Sequence, residues 1–253
     1  MLVVVRSVVT YIAILAYIAV VGPIGLFIGL VLRWKRLLYA LGHGGVWVAL
    51  TLAGIRYRVA GRENVPGTAV VFCSNHESNV DPPLLFRALH PQLHVLYKAE
   101  LHKFPLMGTL FDIGGFVPID RGDRDKALAS IARGAAAIRA GRSFLIFPEG
   151  TRSRAGHLLP FKKGGFIMAI EAQAPIIPVA IQGGRAAMRK GSAWVQPVKV
   201  SVRIGKPIPT RGLSLEDRDA LIGRVRGAVQ ELLDQGSLWE DNPHIPNPKS
   251  QRA

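Results

Sequence analysis

The sequence is poor in cysteine and in acidic side chains. Its one cysteine, Cys73, excludes an internal disulfide bond and a cysteine-rich zinc cluster, so packing must hold the fold together in a reducing compartment. Acidic residues number 17 against 32 lysines and arginines, which gives a formal charge of +15. This excess favours anionic partners, and the mean hydropathy of +0.25 favours lipid over nucleic acid. No metal site and no nucleic-acid partner are predicted.

Charged residues are also absent from Ser7 to Leu32. This stretch is long enough to cross a hydrocarbon core of about 30 Å at about 1.5 Å per residue, and too long for a cleaved signal peptide. A basic and aromatic cluster, RWKR at residues 33–36, separates it from a second apolar stretch at residues 37–54. We predict that residues 1–60 form a two-helix segment that associates with a membrane.

The arrangement of these two helices can be argued from charge. A hairpin that spans the bilayer is disfavoured, because it would place residues 33–36 on the side opposite the larger basic domain. The segment GHGG at residues 42–45 also weakens a second span, since each glycine costs about 1 kcal/mol in a helix interior. Two membrane arrangements remain: one span followed by a surface helix, or two half-inserted helices in one leaflet. A helical hairpin buried in a soluble protein is the alternative.

Beyond Gly61, apolar strand-like runs alternate with longer helical segments, the pattern of an α/β domain. The pattern predicts strands at residues 69–73, 94–97, 143–147, 176–181 and 198–204. It predicts helices at residues 125–140, 161–173 and 214–233, the last opened by a capping box, SLED at 214–217. We assign one α/β domain to residues 61–235 and a proline-rich, poorly ordered tail to residues 236–253.

The stretch NHESNVDPP, residues 75–83, directly follows the first predicted strand of this domain, where ligands of α/β sheets usually bind. A carboxylate bonded to one imidazole nitrogen leaves the other free to accept a proton, so His76 and Asp81 are a candidate base and its orienting group. The nucleophile would then be a hydroxyl of the substrate. Two alternatives stay open: Asp81 could only cap a helix that begins at Pro82, and His76 could be a loop histidine bonded to backbone.

A protein nucleophile finds little support in the sequence. Cys73 lies three residues before His76 on an extended strand end, beyond easy reach, and its apolar neighbours indicate a core thiol. Ser78 and Ser153 lack the G-x-S-x-G pattern of serine hydrolases.

A second polar cluster, FPEGTRS at residues 147–153, follows another predicted strand. Its glycine lets the backbone approach a ligand closely, and Arg152 offers a planar set of donors that suits a phosphate. Lys98 and Arg121 also follow strand-like runs. Each cation alone is commonly a surface charge, but a basic set around a candidate base indicates an anionic substrate.

Four segments follow one another along the chain: NHESNVD at 75–81, GFVPIDR at 115–121, FPEGTRS at 147–153 and IPVAIQG at 177–183. Together they resemble the motifs of the glycerolipid acyltransferases, most closely the 1-acyl-glycerol-3-phosphate acyltransferases. The resemblance covers roughly residues 60–205. It implies a single mixed-sheet acyltransferase domain flanked by helices, of the α/β class.

The resemblance also implies roles for individual residues. The family's general base matches His76, and the aspartate that orients it matches Asp81. Positions that match Ile177 and Pro178 belong to the acyl-donor side or shape the site. The substrate-binding set implied for this chain is Lys98, Arg121, Glu149, Gly150, Thr151 and Arg152.

The activity implied by the resemblance is transfer of a fatty acyl group to the free hydroxyl of 1-acyl-glycerol-3-phosphate, giving phosphatidic acid. The donor would be a thioester of coenzyme A or of acyl carrier protein, with no bound cofactor. The partners are the lipid bilayer, a lysophospholipid acceptor and this soluble thioester, which places the catalytic domain on the cytoplasmic face.

Two other functions are kept open. Many phosphatidate-forming members have phenylalanine where this chain has Pro118, so another lyso-lipid acceptor, such as a lyso amino-acid lipid, is an alternative. A non-catalytic basic module that binds membrane surfaces is the rival from another class, but it leaves the four ordered motifs unexplained.

Overall fold

The structure, a computed structural model, describes residues 1–89, 91–120, 122–153, 156–188 and 191–239, with the backbone alone for Lys98, Pro105, Leu106 and Arg124. The helices in this part of the chain are α1 (Leu2–Phe27), α2 (Lys35–Leu52), α3 (Asp81–Leu89), α4 (Pro105–Gly114), α5 (Arg124–Arg139), α6 (Gly164–Ala172) and α7 (Arg218–Asp234). The strands are β1 (Arg56–Ala60), β2 (Val71–Ser74), β3 (His94–Lys98), β4 (Val117–Ile119), β5 (Phe144–Ile146), β6 (Ile176–Gln182) and β7 (Lys199–Ile204).

The described strands form one mixed sheet of seven, in the order β1-β7-β6-β2-β5-β3-β4. Only the pair β6 and β7 is antiparallel, and the other neighbouring pairs are parallel. Because the carboxyl ends of parallel strands meet at one edge, the segments that follow β2, β5, β6, β3 and β4 converge there. The first and third sequence motifs follow β2 and β5, and the second and fourth contain β4 and most of β6. The predicted mixed-sheet α/β fold is confirmed.

Alternate residues of the central strand β2 pack on opposite faces of the sheet. Phe72 lies in a core cluster with α3 and the end of α2, whereas Val71 and Cys73 lie in a second cluster with α5, α6 and α7. All three side chains are fully buried. A strand covered on both faces reads as a continuous apolar run, which is why this strand was predictable from sequence.

The predicted strands and helices are confirmed, and the structure adds β1 and α4. The helix after residue 125 begins with Asp123 as its cap, and its side chain accepts hydrogen bonds from the N–H groups of Asp125 and Lys126. The predicted capping box at Ser214 and Asp217 is also present. Strand β1 was not predicted, because it is an edge strand with charged alternate positions, whereas β4 lies within the strand-like run before Arg121.

The sheet begins at Arg56, so β1 lies on the amino-terminal side of the predicted domain boundary at Gly61. Of the predicted tail, residues 236–239 pack on β1 and β7: the indole of Trp239 donates to the Val200 carbonyl at 3.1 Å, and Arg58 lies over its ring. Residues 240–253 lie outside the described residues.

The amino-terminal segment is a pair of packed helices. Gly25 lies against Leu38, and the Tyr17 ring lies against Gly45, so α1 and α2 run antiparallel. A β-carbon at Gly45 would lie 2.9 Å from the Tyr17 ring, so the glycines of α2 permit this contact. The α2 helix therefore runs back beside α1 and does not extend away from it along a surface.

The first helix continues from α1 through a π-helical turn, Ile28–Leu32, to a length of 31 residues. By length and composition this helix could cross a membrane, and 22% of its most apolar window is buried inside the protein. Its remaining surface presents large apolar side chains to the outside. This exposure argues against the interpretation of a hairpin buried in a soluble protein.

Candidate active site

The first motif places an imidazole and a carboxylate in direct contact. His76 follows β2, and Asp81 begins α3; His76 Nδ1 and Asp81 Oδ2 are 2.9 Å apart. The same carboxylate oxygen accepts hydrogen bonds from the backbone N–H groups of Glu77 at 2.6 Å and Ser78 at 2.7 Å. The chain thus turns between His76 and Asp81 and brings the candidate base and its orienting group together.

Asp81 does not act as a plain helix cap. Its side chain accepts hydrogen bonds from residues that precede α3, and the first N–H after Pro82 and Pro83, that of Leu84, donates to the Val80 carbonyl. Asp81 is fully buried, and its Oδ1 has no hydrogen-bond partner among the described residues. A β-carbon at Gly184 would lie 2.6 Å from that oxygen, so only glycine fits beside it.

The third motif holds the histidine from the other side. Glu149 accepts a hydrogen bond from the His76 backbone N–H at 2.8 Å through Oε1, and from Leu159 N–H at 3.0 Å through Oε2. The Ser153 N–H donates to the His76 carbonyl at 2.8 Å, and the Phe147 ring lies 4.4 Å from the imidazole. Burial raises the pKa of the Glu149 carboxyl, and the two N–H bonds oppose that rise. Glu149 therefore joins two loops of the site.

Burial changes the acidity of Glu77, the residue next to His76. It raises the pKa of Glu77 to about 7, the Asp81 carboxylate adds to the rise, and Arg185 opposes it. The Asp81 carboxylate thus pairs with His76, whereas the neighbouring Glu77 carboxyl group is partly neutral at pH 7.

Cationic groups gather at the end of β5. The Arg152 Nη1 atom is buried and has no hydrogen-bond partner among the described residues. The Lys162 side chain lies across Gly150, because a β-carbon at Gly150 would be 2.9 Å from the lysine Nζ. Gly150 also has a φ of +67°, which favours glycine. The Lys162 backbone N–H donates to the Pro148 carbonyl at 2.8 Å, which fixes its backbone beside the motif.

The structure describes only some of the other residues that were predicted for the site. Lys98 is the last residue of β3, and its side chain lies outside the described part of the structure, as does the whole of Arg121. Thr151 is exposed beside Arg152. Ile177 and Pro178 are buried in β6, where they pair with Phe72 and Cys73 of β2. Their position allows them to shape the site from beneath and keeps them away from its surface.

Protein nucleophiles are engaged elsewhere. The hydroxyl of Ser78 donates to the Met188 carbonyl, and that of Ser153 donates to the His157 carbonyl. Burial raises the pKa of the Cys73 thiol, which lies in the core. The described residues include no group of three metal-ligating side chains. A proton acceptor at His76 therefore has no activated hydroxyl or thiol of the described chain beside it.

Three residues of the site escaped the sequence analysis. Asn75 joins β2 to β6, because its amide donates to the Ile181 carbonyl and accepts from the Ile181 N–H, both at 2.8 Å. Lys162 and Gly184 are the other two. The glycine pair at residues 183–184, directly after a strand, was a readable signal for close backbone approach. Lys162 had no such signal, since one lysine in a basic chain is unremarkable.

An apolar cavity of about 590 Å³ opens beside the first motif. It lies between the helical hairpin and the domain, and its walls include Val80, Pro82 and Pro83 next to Asp81. Aromatic and aliphatic side chains of α1, α2 and α4 form most of the remaining wall, among them Tyr39 and Phe111. A mostly apolar cavity at a polar site fits a long hydrocarbon chain.

A mixed seven-stranded sheet with a bonded histidine and aspartate at its carboxyl edge places the described domain among α/β enzymes. The family model described as "Acyltransferase" matches residues 56–182. The chain belongs to this acyltransferase family, and the resemblance to the glycerolipid acyltransferases is confirmed.

The descriptions of individual relatives agree with this family assignment. The chain is 32% identical over 208 residues to a 1-acyl-sn-glycerol-3-phosphate acyltransferase of Limnanthes douglasii, which covers 79% of this chain and 73% of that protein. It is 30% identical to a protein of the same description from Pseudomonas aeruginosa, with 96% of each chain covered. The crystal structure of the 1-acyl-sn-glycerophosphate (LPA) acyltransferase PlsC from Thermotoga maritima matches with a TM-score of 0.76 and 25% identity, over 91% of this chain and 97% of that one.

Proposed function

We propose that this protein transfers a fatty acyl group from a thioester to the free hydroxyl of 1-acyl-glycerol-3-phosphate. The observation that carries the proposal is the 2.9 Å contact between His76 and Asp81 at the carboxyl edge of the sheet. An imidazole oriented in this way can accept a proton, and no described protein nucleophile stands beside it. The relatives named above support the choice of acceptor.

The reaction needs one proton acceptor and one anion-binding group. His76 takes the proton of the acceptor hydroxyl as its oxygen attacks the thioester carbonyl carbon; the carbon–sulfur bond then breaks, and the proton passes to the leaving thiolate. Asp81 stabilises the imidazolium that forms between these steps. These steps require no cofactor.

The acceptor phosphate lies beside Arg152 and Lys162 in this proposal. The buried Arg152 Nη1 lacks a partner among the described residues, and a buried donor of this kind is costly unless a ligand satisfies it. Lys98, the last residue of β3, and Arg121, which lies outside the described residues, complete the set implied by the family. Gly150 admits the Lys162 side chain, and Glu149 holds the two loops together.

The apolar cavity beside Val80 receives an acyl chain. Its walls include both helices of the hairpin, so a chain that enters from the bilayer meets the site without crossing water. We place both helices in one leaflet, because α2 runs back beside α1 and the connecting cluster RWKR is basic. The soluble donor, a thioester of coenzyme A or of acyl carrier protein, then arrives from the cytoplasmic face.

The test is thiol release from an acyl thioester by the purified protein in detergent. We expect release that requires lysophosphatidate and that disappears in His76→Ala. A lyso amino-acid lipid offered in its place tests the other acceptor class. Release without any acceptor would identify a thioesterase, and absence of release with every lyso-lipid would overturn the proposal in favour of a binding module.

A further inference from the structure

A groove of about 860 Å³ lies on the surface between α2 and the end of α3, and its lining shares no residue with the catalytic edge. The first helix α1 does not line it either. Its principal lining side chains are Arg36, His43, Trp47, Arg87, Pro91 and Gln92.

The groove is cationic and lacks compensating acid. Arg36 and Arg87 both border it, and no described carboxylate lies within ion-pair distance of either guanidinium. The sequence contains no aspartate or glutamate before Glu63, so α2 contributes none. Two guanidinium groups at one groove without a counter-charge attract an anion, and their planar donors suit phosphate oxygens.

Hydrogen bonds and stacking hold the floor of the groove in place. Arg87 Nη1 donates to the His43 carbonyl at 3.1 Å, and His43 Nε2 donates to the Pro91 carbonyl at 2.9 Å. The imidazole stacks on Phe86, with ring centroids 4.5 Å apart. These contacts fix the backbone of α2 relative to α3, so the groove exists before any ligand binds.

The position of the groove indicates the source of the anion. It lies where the apolar hairpin joins the α/β domain, beside Trp47, which is 54% exposed. Exposed tryptophan and arginine side chains at such a border are typical of the lipid headgroup level. A phosphate there belongs to a lipid that stands in the bilayer next to α2.

We propose that this groove binds the phosphodiester headgroup of an anionic phospholipid of the surrounding bilayer, held by Arg36 and Arg87 with Trp47 beside the lipid glycerol. The site is separate from the acceptor site. It ties α2 and α3 to one headgroup and so holds the hairpin at a defined depth, with Asp81 at the start of the same helix α3.

The experiment measures which lipid touches Trp47. The full chain carries Trp34→Phe, Trp194→Phe and Trp239→Phe, so that Trp47 alone fluoresces in phosphatidylcholine vesicles. Brominated phosphatidylglycerol and brominated phosphatidylcholine are compared as quenchers at equal bromine content. We expect phosphatidylglycerol to be enriched beside Trp47 by about fivefold or more, the size of one surface cation's contribution or larger.

Lys35→Gln is the control for Arg36→Gln. It removes the same charge at the preceding residue, whose side chain does not line the groove. Arg36→Gln should abolish the enrichment, whereas Lys35→Gln should keep most of it. Both variants should keep the thermal stability of the parent and its turnover in detergent, since neither residue belongs to the catalytic edge.

Equal quenching by the two lipids in the parent protein would overturn the proposal. Equal losses in the two variants would also overturn it, because they would indicate general attraction to a charged surface. Competition by soluble glycerol phosphate, with loss of the enrichment, would show that the groove takes free phosphate esters and would overturn the lipid assignment. None of these outcomes depends on whether lysophosphatidate is the acceptor.

Discussion

At the scale of single residues, the Asp81 carboxylate uses its two oxygens unequally. Oδ2 accepts three hydrogen bonds, whereas Oδ1 lies buried without a described partner next to Gly184. A carboxylate that is only partly satisfied remains a strong acceptor for the imidazole proton. The alternative role as a helix cap fails because the first N–H after the two prolines, that of Leu84, donates to the Val80 carbonyl and not to Asp81.

Replacement of Asp81 by asparagine should separate these roles. The amide keeps one oxygen for the N–H groups of Glu77 and Ser78, but it cannot stabilise an imidazolium as a carboxylate does. We expect Asp81→Asn to lower kcat by about 10³-fold or more, on the scale of a carboxylate-to-amide change in a triad. Steady-state thiol release measures this.

Asp123→Asn is the matched control for that variant, because Asp123 caps α5 through two backbone N–H groups. Asparagine caps a helix about as well as aspartate, so turnover and stability should both be retained. Near-normal kcat in Asp81→Asn would refute the assigned role.

Two adjacent lysines test the acceptor site. Lys162 crosses Gly150, whereas Lys163 pairs with Asp219 at 3.6 Å on the surface. Because a charge beside a phosphate contributes about 1.5–3 kcal/mol when it forms a hydrogen bond, Lys162→Met should raise KM for lysophosphatidate by about tenfold or more. KM for the thioester should change little.

Lys163→Met removes the same charge and should leave both KM values near those of the parent. If the two lysine variants behaved alike, Lys162 would only be part of the general surface charge. Initial rates with each substrate varied in turn decide between these outcomes.

At the scale of secondary-structure elements, the hairpin depends on small residues at its helix contact. Gly25 meets Leu38, and Gly45 meets the Tyr17 ring, whose hydroxyl donates to the Leu41 carbonyl at 2.8 Å. The glycines that weaken α2 as an isolated helix are therefore what allow α1 to approach it. The cost in helix propensity is offset by side-chain packing.

Alanine substitution should accordingly have opposite effects in two helices. Gly45→Ala places a β-carbon 2.9 Å from the Tyr17 ring and should destabilise the protein by about 1 kcal/mol or more, despite alanine's better propensity. Gly223→Ala in α7 meets nothing within 4 Å and should stabilise by up to about 1 kcal/mol. Denaturant unfolding of both variants in detergent measures the difference, and a stabilising Gly45→Ala would contradict the packing argument.

At the scale of the whole molecule, the membrane-facing hairpin and the α/β domain together enclose the cavity beside the site. Neither part has this cavity alone, since its walls come from α1, α2 and α4 as well as from the first motif. The length of chain that the enzyme accepts should therefore depend on the hairpin.

Ala49→Phe fills part of this cavity, because Ala49 of α2 lines it. We expect the variant to prefer shorter acyl thioesters, with kcat/KM for long chains lowered by about tenfold and that for short chains retained. Thr51→Phe, at an exposed position of the same helix, should not change the preference. An equal loss for all chain lengths would place the acyl chain elsewhere.

The sequence by itself determined the class of fold and the order of the motifs and made His76 and Asp81 a candidate pair, because hydrophobic periodicity and motif spacing are local properties of a chain. It also indicated the basic, membrane-associating character. It did not indicate β1, whose charged alternate positions obscure the strand pattern, or the hydrogen bonds by which Glu149 joins two loops.

Only the tertiary structure decided which groups meet. Parallel pairing of β2 with β5 and β6 brings residues 75–81, 147–153 and 183–184 to one edge, although more than 100 residues separate the first from the last. The contact of Lys162 with Gly150 and the close approach of Gly184 to Asp81 arise from the same pairing. Such contacts depend on the order of strands in the sheet, which no local pattern of the sequence encodes.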